Sequence, residues 1–477
     1  MKNKIKSFTY GGIALAAIAF TNSCQRDLTS LNEDPKHASV LPSGNLLATG
    51  QYQEFYYMYT GSVNFNNYRF FTQYWAETVY VQEQNYNLVT RAQPRNHFNR
   101  MYVYALNSFN QAKLNLLNET NTDSDVLNNK KAILELSSIF VWENIVDTYG
   151  NVPYSQALQV ADITTPAYDD AHTIYLDLLN RIDAAIAMIN PSKEGYTEDL
   201  VYGGDMSKWI KMANSLKLRL AINLADVDAV TAKAAAESAI EGGLMDSQDD
   251  SYSLIFDGGT FTNPIYDDLV ASKRNDFVPS NVIVDPMNAN SDPRRSVYFT
   301  PVNGIFKGGV YGTLNVYSQY SHVANSYKDP AAPANLLGYT EVLFLKAEAA
   351  ARDFNVGDTA SNLYEEAVAE SFAENGLGND VSEDYIAAHP FDAANWKQSI
   401  GYESWIALWN SPFASWNFVR RLDYPILNTP PQSYIGGVPY RMPYSDQEYV
   451  VNQANVTAAA NAIGGDKATT KLFWDIF

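Results

Sequence analysis

The sequence predicts a mainly α fold: a scaffold of antiparallel helix pairs that carries long irregular loops and minor β-hairpins. Three observations predict it. Several segments repeat apolar residues at spacings of three and four. The helices so defined follow one another across short connections. Between Gly242 and Pro333 that period lapses into a stretch rich in Asp, Asn, Gly, Pro and Tyr. At 477 residues the chain exceeds the ~250–300 residues at which one core stops growing. A stack of helix pairs escapes that limit, because each pair packs only on its neighbours.

The first element is an address. Lys2, Lys4 and Lys6 make a positive start, Gly11 to Phe20 a short apolar core, and Thr21-Asn22-Ser23 lead into Cys24, the single cysteine. An apolar core this short cannot span a bilayer of ~30 Å as a helix, and the pattern is that of a cleaved signal peptide. Cys24 sits where a bacterial lipoprotein carries its acyl chains, although the residues before it depart from the usual Leu-Ala-Gly consensus. Residues 1–23 therefore read as the signal, 24–43 as a lipidated cysteine and polar tether, and 44–477 as a single helical domain. Gln25 after the cysteine, in place of an aspartate, points to the outer membrane. Two or more acyl chains hold a soluble domain at a membrane durably.

The helices follow in order. Lys131 to Tyr149 is one, stopped by Gly150 and Pro153. Ile174, Leu178, Ile182, Ile186 and Ile189 stripe a second. Trp209, Met212, Leu216, Leu220 and Leu224 stripe a third. Leu336 to Arg352 is a fourth, with Ala347, Ala350 and Ala351 small enough for close helix contact. Their pairing is tetratricopeptide-like, without the 34-residue repeat signature. A structureless insert as long as 242–333 is improbable unless functional, so it reads as loops and short hairpins against the stack.

Charge and composition exclude several functions. The formal charge of −20 opposes binding to nucleic-acid backbones, which takes basic patches. One cysteine excludes an internal disulfide framework. The five histidines have no metal or protease spacing, and no nucleophile elbow or phosphate-binding loop is present. A glycosidase needs only two carboxylates, which 53 acids always permit. Asp246, Asp249 and Asp250 lack the order of a calcium loop and read as a solvated acidic turn, so no cofactor is expected; a structural calcium has no motif behind it.

Five blocks, in order, resemble one family. Ile145 to Leu158 (IVDTYGNVPYSQAL) is similar to the "DxxGxvPYseAl" segment of SusD/RagB-type outer-membrane lipoproteins. Tyr202 to Trp209 (YGGDMSKW) with Ala213 to Arg219 (ANSLKLR) resembles their "YgGDxxkWxkfANSLklR" helix. Glu341 to Ala349 (EVLFLKAEA) resembles "yaEvlFlkAEA". Trp405, Trp416 and Arg420 to Pro425 (RRLDYP) resemble the late "Kwialf…aW.e.rRtgyP" block. Arg441 to Tyr444, Glu448, Asn452 and Lys471 to Asp475 (KLFWD) resemble the terminus. The resemblance implies four tetratricopeptide-like helix pairs and a less regular part carrying the ligand site. It also implies a non-catalytic lipoprotein on the cell surface over a SusC-like TonB-dependent transporter, capturing a glycan or, as the alternative, a peptide for import.

The blocks themselves read as structural. Gly150 and Pro153 turn the chain, Glu341 and Glu348 share a helix face, and Arg420 and Arg421 suit a helix C-terminus. Binding is expected instead where aromatic faces mix with amides and charges outside regular helices, since rings stack on sugar C–H faces and polar groups bond hydroxyls. Two stretches qualify, Asn64 to Arg91 and Tyr266 to Tyr320. From them Tyr80, Asn85, Tyr86, Asn275, Asp276, Phe277 and Tyr317 are the candidate ligand residues, and Trp75 is expected to be core. A lipid-anchored glycan hydrolase and a protein-interaction scaffold are the competing functions.

Overall fold

Helix pairing dominates the computed structural model, which describes residues 41–119 and 122–477. The leader, Cys24 and most of the tether lie outside the described residues. Helix α1 (Ser43–Tyr59) packs on α2, a continuous run of Gln93–Asn99, a π-pitched Arg100–Leu106, and Asn107–Leu116. Next, α3 (Ser124–Tyr149) pairs with α4 (Ala171–Met188), and α5 (Met206–Leu224) with α6 (Ala229–Glu241). A short helix, α7 (Asn281–Ala289), precedes the fourth pair, α8 (Tyr339–Ala351) and α9 (Ala360–Ala373). Helices α10 (Asn379–Ala388), α11 (Trp396–Ala407), α12 (Pro412–Leu422) and α13 (Gln453–Ala462) follow. Residues 42–477 form one unit, and none of the described helices is long and apolar enough to cross a membrane.

Local chemistry sets the helix ends. Asp170, Asp205 and Asp228 cap α4, α5 and α6, each carboxylate accepting a first-turn N–H at 2.9–3.1 Å, which satisfies a donor the helix leaves orphaned. Helix α3 starts at Ser124, earlier than Lys131, because Asp123 caps a polar first turn that carries no apolar period. It stops at Gly150, whose φ of 84° suits glycine. Leu336 and Leu337 are not helical as expected; they belong to a strand, and α8 begins two residues later.

The five sequence blocks meet in one buried polar network. Asp147 Oδ2 accepts from Asn223 Nδ2 (3.2 Å) and Asn417 Nδ2 (2.9 Å), and Oδ1 accepts from Trp474 Nε1 (3.0 Å) and the Tyr175 hydroxyl. Arg420 donates to the Asp147 carbonyl at 2.7 Å. Arg421 grips Glu348 through Nε and Nη2 at 3.0 and 2.8 Å and Asn223 Oδ1 at 2.6 Å. Arg219 joins Glu143 and Glu341. All of these side chains are buried. Glu341 and Glu348 are thus buried ion-pair partners, not solvated residues, and both late arginines are occupied inside the protein. The blocks tie α3, α5, α8 and α12 together in register.

The irregular part is pinned to the scaffold by strands that pair over long sequence distances. Strands β1 (Trp75–Glu77), β2 (Val152–Pro153), β3 (Tyr168–Asp169), β4 (Tyr252–Leu254), β5 (Phe277–Pro279), β6 (Phe299–Thr300), β7 (His322–Val323) and β8 (Ala334–Leu337) make four antiparallel pairs. They are β1·β5, β2·β3, β4·β8 and β6·β7. Of these only β6·β7 falls wholly within residues 242–333, where local hairpins were expected. The register Glu77↔Phe277 and Trp75↔Pro279 brings the two aromatic stretches, separated by some two hundred residues, to one place.

Candidate functional site

At the N-terminal end of β5 a recess of about 190 Å³ opens between the two stretches; Asn64, Tyr80, Arg91, Asp268, Arg274 and Asp276 contribute to its lining. The β1·β5 pair holds it from below. Phe277 stacks on Trp75 at 5.2 Å between ring centroids, with Phe70 behind and the Tyr80 ring edge-on at 6.2 Å. Tyr80 donates its hydroxyl to Asp276 Oδ2 at 3.0 Å, and Arg274 Nε donates to the same oxygen at 2.6 Å. Arg91 lies over the Tyr80 ring, 4.7 Å from its centroid, and donates from Nε to Glu83 at 2.7 Å. Both arginines make these ion pairs through Nε.

Behind Arg91, Glu83 forms a buried carboxyl pair with Glu77. Glu77 keeps its proton to about pH 9, pushed up by burial and by the Glu83 carboxyl to which it hydrogen-bonds. Burial also raises Asp268 to about 6, against the Thr60 hydroxyl that donates to it at 2.7 Å. For Glu77 the folded-state value lies above the unfolded one, so its contribution is full below about pH 4 and is lost progressively as pH rises toward 9. Glu77→Gln is therefore expected to flatten the decline of folding stability between pH 5 and 9, measured by urea denaturation across that range.

The structure brings four of the seven candidate residues to this recess and places three elsewhere. Tyr80, Asp276 and Phe277 line it, and Asn275 stands exposed beside it, its carbonyl accepting from Thr78 Oγ1. Phe277 offers little surface, because its β-strand register turns it onto Trp75. Tyr86 is a correction. Its backbone is left-handed (φ 65°), which swings the ring into the core against Phe71 and Tyr311, where its hydroxyl accepts from Gln73. Asn85 is buried too: it donates to the Val81 and Gly312 carbonyls at 2.7 and 3.0 Å and accepts from the Gln432 N–H. It braces loops and has no face for a ligand. Tyr317 is half-buried, stacked on His322 at 4.0 Å, and does not line the recess.

Sequence reasoning missed Arg91, Arg274 and an aromatic row next to the recess. Phe65 and Tyr57 lie 4.7 Å apart between centroids, and Tyr57–Tyr56, Tyr56–Tyr52 and Tyr52–Phe261 follow at 5.2, 5.6 and 5.4 Å. Arg100 stacks on Tyr57, Phe65 and Tyr104, and Phe261 and Tyr104 are exposed. The signal was present as Tyr52, Tyr56 and Tyr57 on one helix, too aromatic for a purely packed face. The acidic turn is not wholly solvated as expected, because Asp250 is buried. Lys211 bonds both Asp246 (2.9 Å) and Asp250 (2.8 Å), and among the described residues no cluster of three or more acids, histidines or cysteines could hold a metal.

The protein thus presents a recess edged by rings and guanidinium groups, with Asp276 and Asp268 engaged by neighbouring side chains. Comparison with known proteins places it in a class. The family of SusD-like proteins, described as starch-binding and associating with the outer membrane, matches residues 35–445, and the chain belongs to that family. Among solved structures, a chitin-binding protein superposes with a TM-score of 0.81 at 25% identity, covering 91% of this chain and 100% of its own. A SusD-like protein from Bacteroides thetaiotaomicron gives 0.79 at 25% identity, with 91% and 99% covered. A chitin-binding SusD homologue from Flavobacterium johnsoniae gives 0.76 at 23% identity, with 91% and 98% covered, a likeness of fold. No curated protein matches this chain.

Proposed function

We propose that this chain is a lipid-anchored receptor on the outer face of the outer membrane, which binds a glycan and acts with a SusC-like TonB-dependent transporter in its import. The observation that carries the reading is the Tyr80–Arg91–Arg274 recess with the aromatic row running from it. Rings spaced about one sugar apart suit a chain of pyranoses, whose C–H faces stack while guanidinium groups bond hydroxyls. The family's description and the chitin-binding names of similar structures support the same ligand class. Binding without cleavage fits the carboxylates at the recess: Asp276 is engaged by Tyr80 and Arg274, and Asp268 by Thr60. The two arginines also suit acidic side chains, so a peptide ligand is the second reading.

Native electrophoresis through gels containing soluble starch, glycol chitin or other polysaccharides tests the proposal, with an acidic peptide as competitor. Retardation by a glycan, without release of reducing sugar, is the expected result. Displacement by the peptide alone would favour the second reading. For the anchor, Cys24→Ser is expected to abolish labelling by radioactive palmitate and to release the protein from the membrane fraction.

A further inference from the structure

A larger cavity lies elsewhere, and Lys208 and Glu341 of the sequence blocks contribute to its lining. It encloses about 680 Å³ between the β4·β8 pair, the end of α1 at Tyr59, the end of α9 and the loop after α11. That volume falls within the range of small-molecule sites, ~300–1,000 Å³. Its polar lining includes Gln248, Thr340, Glu374, Asn375, Asn410 and Ser411.

These groups are prepared for hydroxyls. Gln248 Nε2 bridges Thr340 Oγ1, Glu370 and Glu374 at 3.1–3.2 Å. Glu374 contributes to the lining and accepts from Gln248 Nε2 and from the Thr340 hydroxyl. Glu341 also contributes to the lining, held by its ion pair with Arg219. Tyr59, Tyr327 and Trp409 supply aromatic wall. Lys208 and Asp249 bring opposite charges to the lining, and Lys208 donates to the Asp249 carbonyl at 2.8 Å. A chamber walled by amides, hydroxyls and rings, in which Lys208 and Asp249 carry opposite charges, suits a ligand rich in hydroxyls and without net charge.

We infer that this cavity is a second ligand site, separate from the recess at β1·β5, and that it takes a short neutral sugar of one or two rings. The ligand class rests on the glycan reading above; the site itself rests on the cavity.

Calorimetric titration of the full chain with maltose and with chitobiose tests it, using two variants. At Gly338, which lines the cavity, an added Cβ meets nothing within 4 Å and the backbone is extended, so Gly338→Phe fills the chamber without straining the fold. Tyr80→Ala disables the recess. One of the disaccharides is expected to bind Tyr80→Ala as it binds wild type, and to bind Gly338→Phe at least about tenfold more weakly, while Gly338→Phe still binds polysaccharide in gels. Binding that Gly338→Phe leaves unchanged, binding that Tyr80→Ala alone abolishes, or polysaccharide binding with no disaccharide binding would each overturn the second site and leave the receptor reading standing. Failure of wild type to bind any glycan, long or short, would overturn the receptor reading and this ligand class with it.

Discussion

Replacing Arg219 by methionine is expected to destabilise the fold by about 3–5 kcal/mol, the scale found when one partner of a buried ion pair is removed. Arg219 donates from Nε to Glu143 at 2.7 Å and from Nη1 to Glu341 and the Leu336 carbonyl, both at 3.3 Å, with a further contact from Nη2 to Glu143. Methionine fills most of the volume but leaves two carboxylates from α3 and α8 without countercharge in the core. The pH dependence identifies the cause. Burial holds Glu143 at about 7 and Glu341 above its ordinary range even with the arginine present. Groups with raised folded-state values favour folding when protonated, so the deficit of the variant is expected to be greatest above pH 7 and to shrink toward pH 5. Urea denaturation of both proteins at several pH values measures it; a deficit independent of pH would mean that lost packing, not stranded charge, is responsible.

The second large effect is on binding. Tyr80→Ala is expected to weaken glycan affinity by about tenfold or more, the range of a central aromatic contact. Tyr80 is held by its hydroxyl on Asp276 and by Arg91 over its ring, so removing it deprives both the ligand and Arg274's partner of a fixed neighbour. Arg91→Lys is expected to fall nearly as far, because an ammonium neither stacks as a plane nor bonds in a fork. Tyr317→Ala, whose ring lies on His322 outside the recess, is expected to change affinity less than about twofold. The same titrations on these three variants provide the comparison.

The scaffold was legible in the sequence because its signals are local. The stripe of α5 from Trp209 to Leu224 is buried along its whole length, and Gly150 ends α3 where the turn chemistry says it should. Leu336 misled because a short apolar run reads alike as helix or strand, and only its pairing with β4 decides. The motif blocks were rightly judged structural, but that they converge on Asp147 and Glu348 needs the fold. The site was legible as a region and less so residue by residue. Phe277 stands in a strand whose partner lies two hundred residues away, and Tyr86 is turned inward by a left-handed residue that no composition announces. Arg91 and Arg274 carry no pattern of their own; only the β1·β5 register sets them on either side of Tyr80.

The most direct test is a crystal structure of the protein with a bound oligosaccharide from the polysaccharide that retards it in gels. The account predicts an uncleaved sugar ring against Tyr80, within hydrogen-bonding distance of the Arg91 or Arg274 guanidinium, and a chain that continues toward Phe65. A chain seated on another face with this recess empty, or a shortened product in the site, would contradict it.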